Sequence, residues 1–160
     1  MQKEVSLYPA LGKSGQEVAV GTAVYTPLTY ISDGTVKAGH FAFAKATDEV
    51  GANSPVASAT GSAGDKVLGF VHADFTSMLQ ILEDASEVYP HGFAVSIARR
   101  GDFYLTATGA VTAGKAVLCD PTTGAITFGE VDAANDTGWR VLTEAKGEGD
   151  IIVISHRGRD

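Results

Sequence analysis

The stretch that decides the fold is Phe93-Ala94-Val95-Ser96-Ile97-Ala98-Arg99-Arg100-Gly101-Asp102-Phe103-Tyr104-Leu105-Thr106-Ala107-Thr108. In an extended chain successive side chains point to opposite faces. Phe93, Val95 and Ile97 therefore share one face, and Ala94, Ser96 and Ala98 the other. After Arg99–Asp102 the same period resumes, with Phe103, Leu105 and Ala107 alternating with Tyr104, Thr106 and Thr108. Strict alternation over both halves predicts two strands, and the Arg-Arg-Gly-Asp between them predicts the turn of a hairpin.

Working outward, the same signal recurs. Glu17–Val20 and Ala23–Tyr30 are rich in β-branched and aromatic residues, and Pro27 keeps the second run away from a central sheet position. Asp33-Gly34 is a turn dipeptide. His40–Lys45 alternates, with Phe41 and Phe43 in phase. Residues 46–66 are small, polar and Gly-rich and predict a long loop. Val67–Ala73 predicts a strand with Leu68, Phe70 and His72 on one face. Residues 75–86 hold the one helix candidate, which Thr76 or Ser77 would cap and whose apolar side would carry Met78, Leu79, Ile81 and Leu82. Ala116–Asp120 and Ala125–Gly129 flank a Pro121–Gly124 turn, and residues 130–138 are polar. Trp139–Thr143 and Ile151–Ser155 predict a last pair joined by residues 144–150. The run Ile151–Ile154 is apolar on both faces, as in a strand buried on both sides. These elements predict a mostly β chain: a single-domain β-barrel or sandwich over residues 17–156 with at most one short helix. Residues 1–16 form an N-terminal arm without sustained periodicity, and 157–160 a C-terminal tail.

The bulk properties narrow the function. The chain has 160 residues, 44% hydrophobic and 19% charged, which suits one domain with an ordinary core. A net charge of −7 argues against free nucleic acid as a partner, because duplex binding needs clustered Lys and Arg. The densest basic pairings, Arg99 with Arg100 and Arg157 with Arg159, make no stripe. Cys119 is the only cysteine, so no intrachain disulfide forms. The opening residues are too polar for a signal peptide, and no apolar run approaches the ~20 residues of a membrane span. A soluble protein made in a reducing compartment is expected, with no membrane partner.

The chemical inventory is thin. Gly109–Lys115 has the spacing of a phosphate-binding loop, but Ala116 replaces the Ser or Thr that would hold magnesium, and strand signals follow where a helix is required. Turn chemistry explains the segment better, because Gly34-Thr35-Val36-Lys37-Ala38-Gly39 and Gly109-Ala110-Val111-Thr112-Ala113-Gly114 share the pattern G-x-V-x-A-G. Each copy precedes a strand, which predicts similar units in two halves of one fold. His40, His72, His91 and His156 lack metal-site spacing. Cys119 reads as a buried small residue rather than a nucleophile. Arg100-Gly101-Asp102 spells an adhesion tripeptide, but a hairpin turn accounts for it. No catalytic residue, metal or cofactor is expected, and the chain reads as a building block rather than an enzyme.

The order of the pieces resembles a known family. Tyr8-Pro9-Ala10-Leu11-Gly12-Lys13-Ser14-Gly15-Gln16 is similar to the opening of the structural cement proteins of tailed bacteriophages. Residues 89–124 resemble the family's core: Tyr89 and Gly92, the strand Ala94–Ile97, Arg100-Gly101, the G-x-V-x-A-G turn, Val117, and Pro121 with Thr123 and Gly124. Asp150–Ile154 matches a closing strand. Lys115 and Ala116 depart from the family's usual Asp and Pro, residues 46–66 and 75–86 match poorly, and the basic tail past His156 is extra. The resemblance implies a capsid decoration protein on the outer surface of an icosahedral phage head, made in the host cytoplasm. It would act as a homotrimer that bridges major capsid protein subunits and stabilises the shell. Tyr8, Pro9, Ala10, Leu11 and Gly12 are then the expected contacts with the capsid or a neighbouring protomer. The alternatives are a virion-displayed adhesion module that binds the host surface and a structural protein of the tail.

Overall fold

The computed structural model describes residues 12–45, 55–73 and 87–157. The helix candidate at 75–86 and the arm residues Tyr8–Leu11 lie outside the described residues, as do 46–54. The chain is mostly β, and no described residue is helical. The strands, in chain order, are β1 (Val24–Tyr25), β2 (Tyr30–Ser32), β3 (Phe41–Lys45), β4 (Val56–Ser58), β5 (Gly69–Val71), β6 (Ala94–Val95), β7 (Ile97–Thr106), β8 (Ala116–Cys119), β9 (Ile126–Gly129), β10 (Asp136–Val141) and β11 (Ile151–His156). They form one open, barrel-like sheet in the order β6-β2-β4-β3-β5-β7-β11-β10-β8-β9, with β1 pairing β7 off this path. All pairings are antiparallel except β2 with β4.

The expected hairpin at 93–108 does not form. Residues 97–106 run as one strand through Arg99–Asp102. Gly101, at φ +133°, bends the chain without reversing it. Each half finds a different neighbour. Ile97 and Ala98 pair with Val71 and Phe70, while Gly101–Thr106 pair with Ile151–His156 in reverse order. Alternation identified the extended chain correctly, but it carries no information about which strand lies alongside.

This long strand joins two cores. Phe41, Phe43, Phe70, Phe103, Leu105, Trp139, Ile152 and Ile154 fill the larger one. Ala42, Val71, Ile97, Tyr89, Val36 and Ala57 fill the smaller. Consecutive residues in the first part of β3 (Phe41, Ala42, Phe43) and in β5 (Phe70, Val71) thus face opposite cores, while Ala44 and Lys45 at the end of β3 are exposed. The larger core is an aromatic stack centred on Trp139, whose ring lies 5.6 Å from Phe70, 5.8 Å from Phe103 and 6.3 Å from Phe41. β11 differs from expectation: Ile152 and Ile154 are buried, but Ile151 and Val153 are only half-buried, so one face is core and the other looks outward.

Both copies of G-x-V-x-A-G bury their valine and end on a glycine with positive φ, +73° at Gly39 and +90° at Gly114. Val36 accepts from Tyr89 N at 2.8 Å, and Val111 exchanges two backbone bonds with Ala145 at 3.0 and 2.9 Å. β3 and β8 follow them. Two further expectations need correction. The predicted strand Glu17–Val20 makes only one bridge, Glu17 to Phe103. The segment predicted as loop over 46–66 contains β4, whose three residues Val56, Ala57 and Ser58 are all buried. Small side chains hide such a strand from any periodicity test.

Candidate functional site

Residues 12–18 are clamped to β7. Gly15 N donates to Tyr104 O at 2.9 Å, Tyr104 N to Gln16 O at 3.0 Å, and Val18 N to Asp102 O at 3.0 Å. Ala73 N donates to Gly15 O at 2.9 Å. The Ser14 hydroxyl donates to Gly39 O and accepts from Thr106 N, both at 3.4 Å. Gly12 lies flat against the Tyr104 ring, where a Cβ would collide with Cδ2 and Cε2. Gly15, at φ +91°, has no room for a side chain beside Gly39 and Ala73. The two glycines that end the opening motif are therefore required by close approach and by backbone conformation.

Next to this clamp, in the middle of β7, a polar corner forms. Asp102 lies opposite Ser155, and Gly101 opposite His156. Arg157 Nη2 donates to Asp102 Oδ2 at 3.0 Å. Across β10, Arg140 Nη1 and Nη2 grip the Asp136 carboxylate at 2.8 and 3.0 Å. Burial opposes ionisation of Asp136, but the Arg140 fork and the amides of Gly138 and Asp132 outweigh it and hold the carboxyl below its ordinary range. Burial pushes the His156 imidazole below its ordinary value, and the charges of Arg100, Arg140 and Arg99 act in the same direction. His156 packs on Trp139 with ring centroids 5.6 Å apart, which links the corner to the larger core.

The motifs with apparent chemistry resolve into structure. Lys115 pairs with Glu130, and the strand β8 follows it, so no helix N-terminus faces the Gly109–Lys115 turn. Cys119 is buried, and desolvation followed by the Asp120 charge pushes its thiol up to about 12, far from a thiolate at neutral pH. Arg100-Gly101-Asp102 is not presented as a loop: it lies within β7, with Gly101 buried and Asp102 held by Arg157. Among the described residues no group of three His, Cys, Asp or Glu side chains gathers as metal ligands would.

A family model described as structural cement protein (E217 gp24/Pam3 gp6) matches residues 1–157. The chain belongs to this family. The cement protein is therefore a structural component of a phage capsid. It is also similar in fold to a chain solved in "The capsid of Myoviridae Phage XM1", with 16% identity, a TM-score of 0.57, and coverage of 98% of this chain and 95% of that one. No curated protein matches the chain.

The structure shows why the family's residues stand where they do. Tyr89 is fully buried; its hydroxyl donates to His72 O at 2.7 Å, and its carbonyl accepts from Ser32 Oγ at 2.9 Å. Gly92 has φ +85°, and Gly124, at φ +72°, closes the Pro121–Gly124 turn with a 2.7 Å bond to Asp120 O. These residues build the module rather than a reaction site. Of the expected contact residues, Gly12 sits on Tyr104, and Tyr8, Pro9, Ala10 and Leu11 precede it outside the described residues. Sequence reasoning missed an exposed apolar run at Val18, Val20, Val24 and Leu28. Its signal was a β-branched stretch that never alternates with charge.

Proposed function

We infer that this cement protein binds the outer surface of an icosahedral phage head as a trimer and bridges major capsid protein subunits, stabilising the shell without performing a reaction. The observation that carries this reading is the family match over residues 1–157. The clamp at Gly12–Val18 supports it, because it fixes the root of the arm on the strand that joins both cores. Tyr8, Pro9, Ala10 and Leu11 would then reach a capsid subunit or a neighbouring protomer from a rigid base, with Gly12 as the pivot on Tyr104.

The mechanism is additive. A trimer offers three arms and three bodies to adjacent lattice subunits, so contacts that are weak singly hold together through high effective concentration. Binding to the expanded shell alone stabilises that state by mass action. The test is co-sedimentation of the purified protein with emptied, expanded capsids, followed by electron microscopy. Density at three-fold and quasi-three-fold positions is expected; a protein that stays in the supernatant at micromolar concentration contradicts the reading.

A further inference from the structure

We draw no further inference here: the strongest candidate, the groove between residues 25–29 and 93–97 with Leu28 and Phe93 exposed along it, is an unpartnered apolar face, and nothing in the structure shows what covers it.

Discussion

Gly12 rests on the ring of Tyr104, so closely that a single Cβ would displace it. The clamp at residues 12–18 is thus a glycine–aromatic contact backed by backbone bonds to β7. Gly12→Ala should lower the melting temperature by a few degrees, which for a domain of this size corresponds to about 1 kcal/mol. The Tyr104→Ala background should suppress most of that loss. A double-mutant cycle measured by denaturant titration checks the coupling; additive effects would mean that the two residues act separately.

The bend in β7 depends on Gly101. Its φ of +133° is outside the range that L side chains favour, and a Cβ would lie 2.9 Å from Ala23 Cα. Gly101→Ala should cost more than about 1 kcal/mol. It should also loosen β1, which pairs with β7 at Arg100 and Ala98. Hydrogen exchange at residues 24–26 would report this, and unchanged protection there would contradict it.

Trp139 holds the larger core together. It is 1% exposed and touches Phe41, Phe70, Phe103 and His156. Trp139→Ala should cost about 3–5 kcal/mol, enough to unfold a marginal domain, whereas Trp139→Phe should keep the fold at lower stability. Chemical denaturation of the two variants separates these outcomes.

Two groups set the response to acid. Burial depresses His156 in the folded state, with Arg100, Arg140 and Arg99 adding to the effect. The unfolded chain therefore binds this proton more readily, and the contribution is fully present above about pH 6.5 and lost as pH falls through the folded value. Asp136 is also depressed, burial being outweighed by Arg140 and backbone amides. Its contribution is present above about pH 3.9 and lost below it. His156→Gln should flatten the upper part of a stability–pH curve and Arg140→Gln the lower part. Curves that stay parallel to wild type would contradict these assignments.

Deleting residues 2–11 leaves Gly12 and the clamp in place. The truncated protein should melt like wild type but coat capsids far less. Equal coating would remove Tyr8, Pro9, Ala10 and Leu11 from the binding surface.

Much of the sheet was legible in the sequence where a core face and a polar face alternate. β3, β8, β9 and the β10–β11 pair follow the patterning around Phe41, Val117, Ile126, Trp139 and Ile152. The errors have physical causes. Arg99–Asp102 carries turn residues, yet Gly101 bends the strand rather than reversing it, and pairing is decided by partners distant in sequence. β4 is built from Val56, Ala57 and Ser58, too small to announce burial. The opening motif was legible as glycines with a fixed spacing, but its reason, the ring of Tyr104 and the backbone of Gly39, exists only after folding. The corner at Asp102, Ser155 and His156 was not legible, because it joins residues from two strands whose pairing was not foreseen.

On the proposed function, the protein strengthens a shell by occupying it. The most direct measurement is the rupture temperature of expanded capsids, followed by release of packaged or encapsulated dye, with and without saturating protein. A rise of several degrees that saturates with occupancy is the predicted result; capsids that bind the protein and rupture at an unchanged temperature would contradict the account.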